Sequence, residues 1–207
     1  MSSSNLIWWS GLAALGGSVL LVVLEVVEFV LFGGQPQSVT AATSASIIVD
    51  VSFVVASMLI ILGLVGLYAR QAEQAGTLGL IAFLVTFIGT VMLSGSAWSE
   101  AFITPAVAEA APELLDADPS GVLAAGVILT FGLFALGWLL FGLASLRARV
   151  LPRGAAVLLM VGAVLFFVLL LLEFPAWTVV LGAALAWMGY ALWSGAGEPA
   201  ASSHPVM

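Results

Sequence analysis

The amino-acid sequence predicts an all-α polytopic membrane protein, a bundle of six transmembrane helices. Of its 207 residues, 63% are apolar and 7% are charged, and the mean hydropathy is +1.25. Soluble globular domains have about 45–50% apolar and about 25% charged residues. The apolar residues form runs long enough to cross about 30 Å of hydrocarbon, which needs about 20 helical residues. The runs lack the alternation of barrel strands, so helices are expected to satisfy their backbone groups in lipid.

Turn or cap signals bound each of the six apolar runs. The predicted helices span residues 6–32, 46–69, 77–98, 121–146, 154–172 and 176–193. Asp118 and Pro119 predict an N-cap followed by a proline in the first helical position of the fourth helix. In the preceding loop, Thr104 and Pro105 predict the start of a short helix that Pro112 interrupts.

The six helices are expected to form one transmembrane domain over residues 1–195. Residues 196–207 are small, polar and proline-bearing, which predicts a disordered cytoplasmic tail.

Arginines orient the predicted bundle. Arg70 lies between the second and third helices, and Arg147, Arg149 and Arg153 lie between the fourth and fifth. Both loops fall on one side of a six-span chain, and the positive-inside rule makes that side cytoplasmic. The loop between the third and fourth helices is acidic and lacks basic residues, so we expect it outside and both termini in the cytoplasm. The same arginines could also hold lipid phosphates.

Absent residue types exclude several functions. The chain has no cysteine and no lysine, and its single histidine, His204, lies in the predicted tail. Thiolate chemistry, iron–sulfur clusters and a retinal Schiff base are therefore excluded, as is haem held by paired histidines within the membrane. A metal held by side chains in the membrane would be a hard, oxygen-preferring cation. Whether any metal binds stays open, and no cofactor is expected. The net charge of −7 argues against a nucleic-acid partner.

Acidic residues near the predicted outer ends of the helices form the main candidate site. They are Glu25, Glu28, Asp50, Glu100 and Glu173. Crowded carboxylates without a basic partner cannot all stay ionised cheaply, so we expect some to be protonated or to hold a cation. The pattern predicts an outward-facing site for a proton, a hard metal ion or an organic cation.

Helical spacing indicates that these acids point into the bundle. Gly11, Ala14 and Ser18 share a stripe with Glu25, and small residues mark faces where membrane helices approach each other. A second stripe on the third helix is formed by Gly79, Thr86, Thr90, Ser94 and Glu100. Its hydroxyls are typical of helix-packing contacts, with a polar pathway as the alternative.

A simpler interpretation of these acidic residues is that they contact water at the membrane interface. Glu28, Asp50, Glu100 and Glu173 lie close enough to the predicted interface to reach headgroup water, where a carboxylate costs little. Glu25 is a turn deeper, which favours a functional or network role. Similarly, Trp98 and Trp177 could contact an ammonium group, or they could be ordinary interfacial belt residues.

Two stretches, "WSEAFITPAVAEAAPELLD" and "GWLLFGLASLRARVLPRGAAVLLMVGAVLF", resemble small multi-pass membrane proteins common in bacterial and archaeal genomes. These are described as a family of unknown function. The resemblance implies about six helices and the plasma membrane of a prokaryote, and it implies no established activity.

Two functional hypotheses from different classes follow. The leading one is a small transporter or transporter-like binding protein with an outward-facing acidic site. The alternative is a non-catalytic accessory or structural subunit that packs against partner helices or a second copy of itself. Membrane lipids surround the chain in both cases. An intramembrane enzyme acting on lipids ranks third, because the sequence shows no nucleophile–base pair and no catalytic motif.

Overall fold

The structure is a computed structural model that describes residues 3–170 and 176–195, and this part of the chain is all-α. Its helices are α1 (Ser3–Phe32), α2 (Gln37–Thr40), α3 (Ser44–Phe102), α4 (Thr104–Ala110), α5 (Gly121–Ala148), α6 (Arg153–Leu170) and α7 (Ala176–Gly195). Within the described residues, α1, α3, α5 and α7 are long and apolar enough to cross a membrane. The predicted all-α fold is confirmed, and these helices indicate an integral membrane protein.

Helix α3 contains two of the six predicted helices. A straight helix of its 59 residues would be about 90 Å long at 1.5 Å per residue, far more than one crossing needs. Gly76 breaks it with φ 54° and ψ −146°, and the rings of Tyr68 and Phe83 stack with centroids 4.4 Å apart. The chain therefore reverses at Gly76, and α3 consists of a first arm (residues 44–75) and a second arm (residues 77–102).

The reversal corrects the loop that was predicted around Arg70. Residues 70–75 are helical, because arginine, glutamine, alanine and glutamate all favour helix. The turn is left to Gly76, since a residue without a Cβ tolerates positive φ.

Close glycine contacts hold α1 between the first arm and α7. A Cβ on Gly63 of the first arm would lie 2.6 Å from the Cα of Ala14. On the other side, a Cβ on Gly11 would lie 2.6 Å from the backbone nitrogen of Trp193 in α7. Backbones this close leave no room for larger residues, as is typical of membrane helix pairs.

The remaining helices close the bundle in the same way. The second arm meets α5 where Gly137 abuts Thr86, and α6 meets α7 where Gly162 abuts Leu181. Helices α5 and α6 meet at Gly142. The order around the bundle is therefore α1, first arm, second arm, α5, α6, α7 and back to α1.

The bundle has two chemically different ends. We call the end with the Gly76 reversal and the α5–α6 loop the arginine end, because Arg70, Arg147, Arg149 and Arg153 all lie there, exposed. The opposite end is the acidic end. It contains the end of α1, the start and finish of α3, and the start of α5.

Two predictions about the acidic-end loop have different outcomes. Helix α4 begins at Thr104 and the next 3-10 turn begins at Pro112, which confirms the predicted short helix and its interruption. The predicted N-cap at Asp118 is wrong, because Ser120 precedes the first residue of α5. Gly121 takes a positive φ of 58°, and this left-handed residue prevents the helix from extending back to Pro119.

Three other predictions fall partly or wholly outside the described residues. These are the end of the fifth helix at Leu172, the acid Glu173, and the disordered tail over residues 196–207.

Candidate functional site

A cavity of about 590 Å³ lies at the acidic end, among α1, both arms of α3 and the start of α7. It exists because the helices that meet on glycines toward the arginine end separate here. Its walls carry both carboxylates and aromatic rings. The aromatic residues in its lining are Phe29, Phe32, Phe53, Phe131, Phe166 and Trp177.

Four of the five predicted site acids line this one cavity. Glu25 and Glu28 come from α1, Asp50 from the first arm of α3, and Glu100 from the second arm. The hairpin reversal at Gly76 brings Asp50 and Glu100 to the same end of the bundle, although 50 residues separate them in sequence. Proton or cation binding by these acids stays a prediction.

The four carboxylates differ in exposure and in hydrogen bonding. Glu25, Asp50 and Glu100 are half-buried, whereas Glu28 is exposed in the cavity. Glu100 accepts a hydrogen bond from the Gln37 side chain, with Nε2 and Oε2 2.8 Å apart. The hydroxyl of Ser46 donates to Asp50 over 3.2 Å. Among the described residues that line the cavity there is no arginine or histidine, so the lining has no cation to balance these acids.

Glu25 lies on the inward stripe that the sequence predicted. Ala14 and Ser18 on this stripe are 2% and 0% exposed, so the stripe faces neighbouring helices. The Thr178 side chain of α7 is also 0% exposed. Its hydroxyl lies next to the Glu25 carboxyl, behind the cavity lining, so Thr178 is placed to position that carboxyl.

The predicted stripe on the second arm is buried from Gly79 to Ser94. The packing interpretation suits the hydroxyls of Thr86 and Thr90, whereas that of Ser94 has no hydrogen-bond partner among the described residues. Thr86 donates to the backbone carbonyl of Ala82 over 2.6 Å, and Thr90 donates to that of Thr86 over 2.7 Å. Hydroxyls bonded to their own helix add no polar surface to a pathway. At the end of this stripe, Glu100 lines the cavity.

A column of aromatic residues closes the cavity toward the arginine end. We call this column the aromatic plug; it comprises Phe134, Trp138, Phe141 and Phe166, which are 0–3% exposed. Trp138 makes edge contacts with Phe134 and Phe141, with centroids 6.3 and 6.0 Å away. The cavity is therefore open at the acidic end and sealed in the middle of the bundle.

The two tryptophans of the predicted ammonium contact separate in the structure. Trp177 lines the cavity and packs edge-on against Phe166, with ring centroids 4.6 Å apart. Trp98 is half exposed, packs against Phe102 and does not contribute to the lining. Only Trp177 is placed to contact a molecule in the cavity.

The acidic-end loop is tied to the short helix α2. The carboxylate of Asp116 accepts hydrogen bonds from the hydroxyl of Ser38 over 2.6 Å and from its backbone N–H over 3.1 Å. These bonds hold the pKa of Asp116 below its ordinary value, because they favour the ionised carboxylate. The loop therefore crosses the acidic end in a fixed position beside the cavity.

Sequence reasoning expected Trp138 to pack in the core, as it does, but it missed the phenylalanines that shape the cavity floor with it. A signal for them was present, because Phe131, Phe134, Trp138 and Phe141 recur at helical spacing along α5 and mark one face. Thr178 carried no such signal, since its proximity to Glu25 depends on how α7 packs against α1.

Comparison with known proteins assigns no family to this chain. No protein-family model matches it, and no curated protein or solved structure matches it. The resemblance to small prokaryotic membrane proteins therefore stays an expectation. Among the described residues there is also no group of three acidic or histidine side chains that could hold one metal ion. The site is thus defined by a cavity, four carboxylates and an aromatic wall.

Proposed function

We propose that this protein is a small membrane transporter, or a transporter-like binding protein, that takes a proton or a cation into its acidic cavity. The observation that carries the proposal is the convergence of Glu25, Glu28, Asp50 and Glu100 on one cavity without a basic residue in its described lining. Intramembrane carboxylates are costly and mark ion or substrate sites. A bound cation offsets that cost by neutralising the cavity.

The proposal includes a topology of six crossings with both termini in the cytoplasm, in the plasma membrane of a prokaryote. Each arm of α3 is longer than the about 20 residues that one crossing needs, and α6 adds an apolar helix of 18 residues. All four arginines lie at one end, which the positive-inside rule makes cytoplasmic. The cavity then opens to the outside.

Transport in this scheme requires the aromatic plug to open. The cation enters from the acidic end and binds among the carboxylates, with Glu25 as the deepest acid. Movement of helices around Trp138 would then expose the site to the arginine end. A binding protein without transport would keep the plug closed.

The function is tested with the purified full-length chain in liposomes. Sodium-22 entry and proton entry, the latter reported by internal pyranine, are measured with and without an imposed pH gradient. We expect Glu25→Gln to abolish entry of the transported ion, because the amide cannot carry the charge or the proton.

Glu109→Gln is the matched control, since Glu109 is exposed on α4 and outside the cavity. Flux that is unchanged by Glu25→Gln, or no flux above protein-free liposomes, would contradict transport of sodium or protons through this site.

Cysteine labelling tests the topology, and the chain has no native cysteine to interfere. Ala117→Cys at the acidic end and Gln74→Cys at the arginine end are both at exposed positions. We expect a membrane-impermeant maleimide to label Ala117→Cys in intact cells and Gln74→Cys only after permeabilisation. The reverse pattern would place the cavity on the cytoplasmic side.

One surface favours the alternative of a subunit that packs against partner helices. On α5, a Cβ on Gly126 or Gly132 would meet nothing within 4 Å, and Val122 and Ile128 nearby are 91% and 73% exposed. Small residues without a neighbour are typical of membrane helix interfaces. This alternative predicts a stoichiometric complex in mild detergent, disrupted by Gly132→Ile, and a function that tolerates Glu25→Gln.

A further inference from the structure

The cavity is larger than a proton or a bare metal ion requires. Its volume of about 590 Å³ falls within the range of about 300–1,000 Å³ that is typical of small-molecule sites. A hard metal ion is instead enclosed by oxygens at about 2.3–2.6 Å. In the part of the chain that the structure describes, no three acidic or histidine side chains are grouped in that way. The dimensions of the site therefore point to an organic molecule.

The walls of the cavity combine two kinds of surface. The carboxylates come from α1 and α3, which also contribute phenylalanines, whereas the lining of α5, α6 and α7 is aromatic without acids: Phe131, Phe166 and Trp177. A ligand that spans the cavity would meet negative charge at one side only and aromatic surface at both. Trp177 could also contribute a cation–π contact, because a cation within about 6 Å of an indole face is attracted to it.

Thr178 of α7 lies behind the wall of the cavity. Its side chain is fully buried next to the Glu25 carboxyl, and it does not belong to the cavity lining. A ligand would therefore meet Glu25 and not Thr178, and Thr178 is placed to position the Glu25 carboxyl.

We propose that the cavity binds an amphipathic organic cation, an ammonium group attached to an aromatic or aliphatic body. The ammonium lies between Glu25 and Glu28, and the body packs on Phe131, Phe166 and Trp177. This inference rests on the proposed function and names the class of cation that the site takes.

Binding is tested on the full-length protein in nanodiscs by isothermal titration calorimetry and by tryptophan fluorescence. The probe is 3,3-diphenylpropylamine, which is protonated at neutral pH, and its neutral match is 3,3-diphenylpropanol. We expect the amine to bind at least tenfold more tightly than the alcohol. Glu25→Gln and Glu28→Gln should each weaken amine binding by tenfold or more, whereas Glu109→Gln should leave it unchanged.

Two further variants test the placement of the ligand. Thr178→Val replaces the hydroxyl next to Glu25 by a methyl group, and it should weaken the amine about threefold to tenfold without changing the affinity for the alcohol, because the Glu25 carboxyl is less well positioned. Trp177→Leu should weaken the amine more than the alcohol, because the cation–π contact is lost while apolar surface is kept. Thermal unfolding of each variant verifies that the fold is retained.

The outcomes separate this inference from the proposed function. Equal affinity for amine and alcohol, or amine binding that is insensitive to both glutamate variants, would overturn the inference. If that result accompanies Glu25-dependent sodium or proton flux in liposomes, the proposed function stands and only the ligand class is wrong. If ion flux is absent as well, both fail.

Discussion

Toward the arginine end the helices meet on glycines, and buried aromatic rings fill the space between them; toward the acidic end the same helices part around a cavity. The contrast follows from the positions of small and large residues. Gly63 and Gly137 bring backbones together, and Trp138 and Phe141 fill the centre at 0% exposure. Lipid tails are as apolar as leucine, so close packing must hold membrane helices together. The packed end therefore supplies the stability that the open, acid-lined end lacks.

The largest expected effect comes from the aromatic plug. Trp138→Ala should lower the free energy of unfolding by about 3 kcal/mol, because it leaves a cavity in a fully packed centre. Phe29→Ala, at a half-exposed position in the cavity wall, should cost less than about 1 kcal/mol. Unfolding of both variants in mixed micelles checks the difference. Similar losses would mean that the two ends are equally packed.

The glycine contacts provide a second test of the contrast. Gly63→Ala should cost about 1–3 kcal/mol, since the new Cβ would lie 2.6 Å from the Cα of Ala14. Gly126→Ala meets nothing within 4 Å and should be neutral or should stabilise the helix by up to about 1 kcal/mol. The same unfolding assay measures both. A tolerated Gly63→Ala would show that α1 and the first arm can move apart.

The two reversals at the arginine end should respond in opposite directions. Gly76→Ala should cost about 1–2 kcal/mol, because a Cβ is strained at φ 54°. Arg149 is the α5 C-cap with φ 59°, and Arg149→Gly should relieve strain of a similar kind. Thermal unfolding of the two variants should therefore give shifts of opposite sign. Shifts of the same sign would show that left-handed strain does not limit this end.

The smallest effect concerns Asp116 and Ser38 at the acidic end. The pKa of Asp116 is lowered from 3.8 in the folded chain, so the bonds to Ser38 are fully present above that value. They are lost as the pH falls through the lowered pKa, because a protonated carboxyl accepts less strongly. Amide exchange at Ser38, corrected for its intrinsic pH dependence, should lose protection in this acidic window. Asp116→Asn should abolish this pH dependence of protection at Ser38. If the variant keeps the pH dependence, another titrating group causes it.

Much of the fold followed from local pattern. The long apolar runs predicted helices, and their limits agree with α1, the arms of α3, and α5 to within a few residues. The prediction of a loop at residues 70–75 was wrong, because helix-forming residues continue the helix there and the chain turns only at Gly76. The prediction of an N-cap at Asp118 was also wrong, because the positive φ of Gly121 makes α5 begin later.

The candidate site was predictable in part. Helical periodicity placed Glu25 on an inward face, since this face is determined by residues of the same helix. Periodicity also marked the aromatic face of α5 that forms most of the plug. The volume of the cavity, the packing of Phe166 against that face and the position of Thr178 depend on contacts between helices far apart in sequence, which periodicity does not encode.

By itself, the sequence determined that this chain suits a lipid bilayer and that it is helical. It also determined the sign of the charge at each end of the bundle. These properties depend on composition and on neighbours along the chain, through the cost of burying backbone and charge in hydrocarbon. The tertiary structure decided that Glu25, Glu28, Asp50 and Glu100 share one cavity, closed by Trp138 and its aromatic neighbours. That arrangement requires the hairpin at Gly76 and the glycine contacts that set the distance between helices, so only the packed chain could reveal it.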